Sequence, residues 1–399
     1  MKILQINNSF KKKGGAEAVF LNTIDLLRSK EIEVIAFSRR CENSSAEYSE
    51  KYFLPEKSNS NIIERFYSKQ SANLISELIE NEKPDIAHIH NIHGEITFSI
   101  FPVLKKKKIP IVATIHGFKY LCPAWVFMNG KGEICEECKG KKFYKCFLNN
   151  CSRKSNMKSF QLAAESYLRD WLFPYDKYID KFLFVSQFTQ QKFLEFNQSI
   201  QNKSAQLYNF VMHFEDSSIG KHKNYFLFLG RLDYEKGIET LIKAFKNVPN
   251  QKLIIAGNGV LENFVKTNAI GNIEFVGYRE GEELNYLIKN SFFLVVPSET
   301  YENNPMTIVE AYSKSKPVIG TNLGGITEIV QDNVTGFLFE PKNSKQLSEI
   351  VIKCSLLNIS EYSNMSENAF MFARRNFNAE NHYNNLIKIY SELIERKIR

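Results

Sequence analysis

The chain of 399 residues lacks any apolar run near the roughly 18 residues that a membrane-spanning helix needs. Its opening residues 1–6 are too short for a signal peptide and lead straight into Asn7, Asn8 and Ser9, so the protein is expected to stay in the cytoplasm. It lacks the pattern Gly-x-x-x-x-Gly-Lys-Ser/Thr, which excludes a P-loop enzyme. It also lacks Gly-x-Gly-x-x-Gly after its first strand, which argues against a dinucleotide-binding enzyme. There is no short internal repeat and no nucleic-acid-binding motif.

What is there describes a globular protein. Hydrophobic residues make up 43% and charged residues 24%, with chain enough for two cores. At ~150 residues per domain the length suggests two or three domains. Basic residues outnumber acidic ones, 52 to 44, and the net charge is +8. Lysines gather at Lys11, Lys12 and Lys13, at 105–108, and at Lys139, Lys141, Lys142 and Lys145. Such runs attract nucleic acid, anionic lipid or an anionic substrate. Without a nucleic-acid-binding motif, a membrane surface ranks above nucleic acid, and plain solvation ranks level with the membrane.

Residues 2–6 read as a first strand. Gly14 and Gly15 then open a helix whose apolar residues Ala16, Val19, Phe20, Ile24 and Leu27 keep helical spacing. A strand at 32–37, a helix at 62–79, a strand at 85–90 after Pro84, a helix ending in the lysines of 105–108, and a strand at 111–115 follow. This alternation implies a parallel sheet with helical crossovers. From 118 to about 155 the periodicity fades, and five of the seven cysteines fall there. An aromatic-rich helix at 157–173 and a strand at 182–185 come next. A second series begins after the polar segment 215–224. Its strands are expected at 225–229, 252–256, 273–276, 292–296 and 317–320, with helices after Gly237 and at 326–330, 344–356, 361–375 and 379–396. Two doubly wound domains are expected, joined near 212–222.

The most informative stretch is 300–310. Glu302 falls in a turn after the strand 292–296, and Glu310 lies about a turn and a half into the helix that Pro305 starts. Both line the carboxyl end of a parallel strand, where open α/β sheets bind ligands. Taken alone, this is an ordinary acidic loop. Its weight changes with the glycines at successive strand ends, Gly230, Gly257, Gly259, Gly277, Gly324 and Gly325. Each admits a tight turn or a close backbone approach, and the helix N-termini that follow suit phosphate. Arg231 and Lys236 are placed to clamp a diphosphate and stabilise it as it departs, unless Asp233 and Glu235 simply offset them. Paired carboxylates also suggest glycoside hydrolysis, but a turn and helix between Glu302 and Glu310 set them at different depths. His116, beside Gly117 at the end of 111–115, is expected to point into the same inter-domain cleft from the other side. His88 and His90 are expected to pack or to orient neighbours.

Together these motifs resemble the retaining glycosyltransferases of family 4, which have the two-domain GT-B fold. The resemblance is carried by Gly14-Gly15-Ala16-Glu17, by 85–90, by His116-Gly117, by Val185-Ser186 and by Gly230-Arg231-Leu232-Asp233-Tyr234-Glu235-Lys236-Gly237. It continues through Gly257-Asn258-Gly259, Pro297-Ser298, Glu302 to Glu310 with Ala311, and Gly324-Gly325-Ile326-Thr327-Glu328-Ile329-Val330. In order and spacing these pieces cover nearly the whole chain. The implied fold class is α/β, GT-B, with two Rossmann-like doubly wound domains facing each other across a cleft. Residues 1–213 would form the acceptor domain, with a cysteine-rich insert at 118–155. Residues 214–378 would hold the nucleotide sugar, and 379–399 would be a helix crossing back to the first domain.

The implied activity is a hexosyltransferase-type transfer from a UDP- or GDP-linked sugar to a lipid-linked saccharide acceptor. It would serve bacterial capsule or lipopolysaccharide biosynthesis at the cytoplasmic face of the membrane. By the same resemblance Arg231 and Lys236 hold the diphosphate, Glu310 the ribose, and Glu302 the donor sugar or leaving phosphate. Gly15 brings backbone amides near the diphosphate, His116 contacts the donor sugar near the reacting carbon, and Gly257, Gly277, Asn303 and Asn304 complete the donor site. Two departures stand out. Asn303 replaces a glycine common after the first glutamate, so donor-sugar contacts are expected to differ. His116-Gly117 replaces a common His-Asp, so any role of that aspartate is absent or moved. No Asp-x-Asp motif occurs, which fits metal-independent transfer with charge stabilised by Arg231, Lys236 and helix N-termini. No cofactor is expected for catalysis. Retention is implied by front-face attack, the departing phosphate helping to deprotonate the acceptor. Two competitors are a nucleotide-sugar 2-epimerase on the same fold and a non-catalytic scaffold that binds through the cysteine insert. The two glutamates and two cations argue against both.

Cys135-x-x-Cys138 is followed by Cys146-x-x-x-x-Cys151, with Cys122 upstream. Cytoplasmic thiols are rarely in disulfides, so a structural zinc ion on Cys135, Cys138, Cys146 and Cys151 is the leading reading. Free thiols and an iron–sulfur cluster are the alternatives. The insert and the aromatic helix after it, with Phe160, Tyr167, Trp171 and Phe173, are expected to shape the acceptor pocket or touch membrane.

Overall fold

A computed structural model describes residues 1–11, 14–39, 52–55, 66–153, 155–215, 220 and 222–398. Lys12, Lys13, residues 62–65 of the expected helix and part of the expected linker lie outside them. The chain divides into two compact units, Met1–Leu207 with Ala379–Arg399, and Tyr208–Asn378.

The first unit alternates β1 (Lys2–Ser9), α1 (Gly15–Ser29), β2 (Glu33–Arg39), β3 (Phe53–Leu54), α2 (Lys69–Glu82), β4 (Ile86–Ile89), α3 (Ile100–Lys106) and β5 (Ile111–Ile115). The cysteine-rich stretch contributes the short α4 (Tyr144–Leu148). Then come α5 (Asn156–Leu172), α6 (Tyr175–Tyr178), β6 (Lys181–Phe184), α7 (Gln187–Phe196) and β7 (Ser204–Gln206). The strand order is β3-β2-β1-β4-β5-β6-β7, and every pairing is parallel. The inner strands β4 and β5 are buried throughout, as a helix-covered parallel sheet requires; β5 reads Ile-Val-Ala-Thr-Ile.

The second unit runs β8 (Tyr225–Leu229), α8 (Ile238–Lys246), β9 (Lys252–Ala256), α9 (Glu262–Asn268), β10 (Ile273–Gly277), α10 (Gly281–Asn290) and β11 (Leu294–Val296). It continues with α11 (Met306–Ser313), β12 (Val318–Thr321), α12 (Ile326–Ile329), β13 (Gly336–Phe339), α13 (Ser344–Ser355) and α14 (Ile359–Asn376). Its order, β10-β9-β8-β11-β12-β13, is again all parallel. Strand order reverses between β8 and β11, which makes their carboxyl ends the place where such sheets bind ligands. Phe226, Leu241, Phe245, Ile255, Phe293 and Val351 fill the core.

The last helix, α15 (Ala379–Ile398), belongs to the first unit. Leu386, Tyr390 and Leu393 join Ile3, Phe20 and Ile86 in its core. The change of unit falls at Leu207/Tyr208, ahead of the junction expected near 212–222. Tyr208 and Val211 already belong with the end of α14: Tyr208 packs edge-on against Phe377, and Val211 pairs with Asn378.

Caps correct several expected boundaries. The helix expected from 62 starts at Lys69, because the Ser68 hydroxyl accepts the Ser71 amide. The helix expected from 361 starts at Ile359, because Asn358 and Glu361 form a reciprocal capping box. Apolar periodicity overlooked β3, β7, α7, α9, α10 and β13. Most are too short for a periodic signal, and α10 buries only Ile288.

Candidate active site

In the second unit the loops after β8, β9, β11 and β12 pack on one another at the carboxyl ends of the strands. Glycine permits that packing. A Cβ on Gly257 would lie 1.9 Å from the Gly230 carbonyl oxygen, and one on Gly237 1.9 Å from that of Pro297. Both residues also have positive φ, +150° and +69°. These two glycines therefore seat loop on loop. Gly277 ends β10, and its carbonyl accepts the Gly257 amide at 2.9 Å.

The seated loops gather charge. Lys236 Nζ stands 2.5 Å from Glu302 Oε1, and the Ser298 hydroxyl donates to the same oxygen at 2.7 Å. The Ser298 carbonyl in turn accepts the Thr321 hydroxyl of β12 at 2.8 Å. Burial pushes the Glu302 carboxyl up. The Lys236 ammonium, by charge and hydrogen bond, with the Ser298 hydroxyl and the Arg231 charge, outweighs burial and holds it below its ordinary value. Glu302 is therefore ionised at neutral pH. Arg231 donates to Asp233 at 2.5 Å and to Glu235 at 3.2 Å, so the offsetting by these two carboxylates that the spacing allowed is present. Arg231 stays exposed, and Lys236 is largely covered.

Behind Glu302 the loop is buried at Asn303 and Asn304. The Asn304 carbonyl accepts from the Asn209 amide at 2.9 Å. Among the described residues neither side-chain polar atom of Asn304 has a hydrogen-bond partner, nor does Asn209 Oδ1. A buried primary amide left unpaired costs on the order of 1–3 kcal/mol, and native structures keep few such groups. Pro305 precedes α11, which carries Glu310 half-buried in its second turn. A concavity lined by Asn250, Lys252, Lys266 and Asn272 lies at the opposite, amino ends of β9 and β10, away from all these groups.

In the first unit His116 follows β5 and Gly15 begins α1. His116 is one of a group. Its Nε2 is 2.9 Å from His90 Nδ1, and the two rings stack at 5.1 Å. The rings of His88, on β4, and His90, just past its end, are 4.5 Å apart. His88 bonds Thr114 at 2.7 Å through one nitrogen and Tyr390 of α15 at 2.5 Å through the other. Burial drives His88 and His116 down to about 3, and burial with neighbouring histidines drives His90 well below its ordinary value. All three are neutral at pH 7. Sequence reasoning missed Ser298 and Asn209 as site residues and missed Tyr390 altogether, since nothing local marks a tyrosine in a terminal helix as the partner of a histidine 302 residues away.

The thiols of the insert are free, and among the described residues no three His, Cys, Asp or Glu side chains form a group that could hold a metal ion. Cys146 is raised by its hydrogen bond with Cys151 and by burial, and burial raises Cys138. Cys138 also feels the charges of Cys122, Cys151 and Cys135, and Cys146 those of Cys151, Cys122 and Cys138, so the insert brings the thiols of both pairs near one another.

Comparison with known proteins matches residues 13–212 to the family described as Glycosyltransferase Family 4 and residues 212–371 to Glycosyl transferases group 1. An uncharacterized glycosyltransferase of Methanocaldococcus jannaschii is 30% identical over 79% of this chain and 78% of its own length. An uncharacterized 41.2 kDa protein in the cps region of Klebsiella pneumoniae is 22% identical, over 79% of this chain and 81% of its own. Among solved structures, Anabaena HepE in complex with UDP-glucose superimposes with a TM-score of 0.68 at 18% identity, covering 98% of this chain and all of that one.

Proposed function

Since the chain belongs to the group 1 glycosyltransferases, with the GT-B fold, we propose that its second unit binds a UDP- or GDP-linked sugar for transfer, with retained configuration and without a metal ion, to a lipid-linked saccharide. Relatives in capsule gene regions support surface-polysaccharide assembly as the setting. The observation that carries the donor reading is the buried, unsatisfied Asn304 amide beside the Lys236–Glu302 pair at the strand-order reversal. A sugar with ring hydroxyls supplies both the donor and the acceptor that this amide needs.

The chemistry follows from the same groups. The bond between the anomeric carbon and the diphosphate breaks, and negative charge grows on the leaving oxygen. Arg231 meets it by exchanging Asp233 and Glu235 for phosphate, and Lys236, whose ammonium has three protons to donate, meets it while keeping Glu302. The acceptor hydroxyl forms the new bond on the face the diphosphate leaves, and its proton passes to the departing phosphate. Glu302, ionised and fixed by Lys236 and Ser298, accepts hydrogen bonds from the sugar. Glu310 accepts from the ribose. Gly257 and Gly277 shape the loop backbone, and Asn303 and Asn304 select the sugar. The backbone amides at Gly15 are kept for the diphosphate, and the acceptor belongs to the first unit. There the neutral His116 exchanges hydrogen bonds with hydroxyls and carries no charge.

Asn304→Leu tests the reading. The substitution removes two unsatisfied atoms at nearly constant volume, so unfolding of the free protein should be unchanged or shifted toward greater stability. Donor affinity should fall about tenfold, ~1.4 kcal/mol. Calorimetric titration with UDP- and GDP-sugars beside thermal unfolding checks both. Unchanged affinity for every nucleotide sugar that the parent protein binds would remove Asn304 from the donor site.

A further inference from the structure

Helix α5 is packed inside out. Its buried side presents Ser159, Leu162, Ala163, Ser166 and Arg169. Its outward side presents Met157, Phe160, Tyr167, Leu168 and Trp171, which recur at helical spacing and leave Trp171 78% and Met157 65% exposed. The acids of this helix are turned away from that stripe and paired, Glu165 with Lys119 at 3.2 Å and Asp170 with Lys141 at 2.6 Å. Helix α4 packs beside it and widens the stripe. Phe147 meets Phe160 edge-on with ring centres 6.0 Å apart, and Leu148 is 63% exposed. Contiguous exposed apolar patches of this kind mark interaction sites.

The charge around the patch says what covers it. From Lys139 to Lys158 the chain carries seven lysines and arginines and not one acidic residue. Lys141 and Lys145 are paired, with Asp170 and Glu137, yet the stretch as a whole keeps a strong excess of positive charge, which an anionic bilayer surface matches together with the apolar stripe. Trp and Tyr side chains settle at the headgroup level, aliphatic residues and Phe enter the acyl boundary, and flanking Lys and Arg meet anionic headgroups. Each basic residue close to such a surface strengthens binding roughly fivefold. Among the described residues no helix is long and apolar enough to cross the membrane, so contact from one side is the geometry left to α4 and α5.

We propose that α4 and α5 form an interfacial anchor that lays the first unit on an anionic phospholipid bilayer, with Trp171 and Phe160 inserted. The assignment is separate from the donor reading, because vesicle binding requires no nucleotide sugar.

Sedimentation of the full chain with phosphatidylcholine vesicles, with and without phosphatidylglycerol, tests it. Binding is expected only with phosphatidylglycerol, weakening as salt rises. A Leu168→Ser and Trp171→Ser double variant should bind about tenfold more weakly. Ile359→Ser, which alters an equally exposed apolar residue of the second unit, should bind as the parent does. A second measurement avoids any folding defect of the double variant. The chain has two tryptophans, so Trp125→Phe leaves Trp171 as the only indole. Its fluorescence should shift to the blue on anionic vesicles and be quenched by brominated lipid. Absence of binding to phosphatidylglycerol vesicles, or a Trp171 spectrum that ignores them, overturns the proposal. So does a concentration-dependent dimer of the free protein that the double variant abolishes, which would give the face to a second copy.

Discussion

The two glutamates of the 300–310 stretch have different tasks because their surroundings differ. Glu302 is committed to Lys236 and Ser298, and its charge is held in place by them. Glu310 sits on a helix that begins after Pro305 and is half-buried. Glu310→Ala should weaken nucleotide binding on the order of tenfold, the cost of one lost hydrogen bond to a charged acceptor. Glu302→Ala should leave nucleotide affinity near that of the parent and reduce turnover at least as strongly. Titration with the bare nucleoside diphosphate, beside steady-state rates, separates the two. Equal loss of affinity in both variants would end the division of roles. Glu302 and the cations were legible because they fall beside strand-end glycines in an ordered set of motifs. Ser298 was quoted in a motif yet given no role, because its importance lies in which carboxylate it reaches.

At the scale of elements, α15 completes the first unit. It is bound both by packing, through Leu386, Tyr390 and Leu393, and by the Tyr390 hydroxyl. That hydroxyl bonds His88, and the Gln5 amide donates to it at 3.3 Å. Tyr390→Phe keeps the ring and leaves His88 Nδ1 and the Gln5 amide only each other, at 3.3 Å, so it should cost about 1 kcal/mol in urea unfolding. Leu386→Ala should cost more, roughly 2–5 kcal/mol, by the cavity it opens. A Tyr390→Phe protein as stable as the parent would show that packing alone holds the helix. The amphipathic pattern of α15 announces a helix with one buried face; the identity of the unit that receives it is a tertiary fact.

The whole molecule has two cores with different acid responses. His88 and His90 are buried and neutral in the first unit, with folded values depressed below the 6.5 of a free histidine. The unfolded chain therefore takes up protons first, and stability is present above about 6.5 and lost as pH falls toward 3. Each such histidine removes roughly 1.4 kcal/mol per pH unit in that window. In the second unit Glu302 is depressed below 4.5, so its contribution is complete above 4.5 and is lost only below that. The half-buried His222 adds a smaller term to this unit. Calorimetric scans between pH 7 and 5 should show one transition moving down ahead of the other, and His88→Gln should flatten the movement of that first transition. Two transitions that fall together would refute the separation.

The sequence by itself determined the α/β class, the two doubly wound units and the identity of the charged strand-end residues. Alternating periods and glycines at strand ends are local, and a parallel sheet of buried strands admits little else. Only the tertiary structure decided how those residues are employed. Lys236 is turned to Glu302 because Gly237 lets one loop lie on Pro297, Asn304 is stranded without a partner among the described residues because its loop is buried, and His116 is neutral because it is buried. It also turned the apolar face of α5 outward, because spacing along a chain does not fix which face of a helix the core accepts.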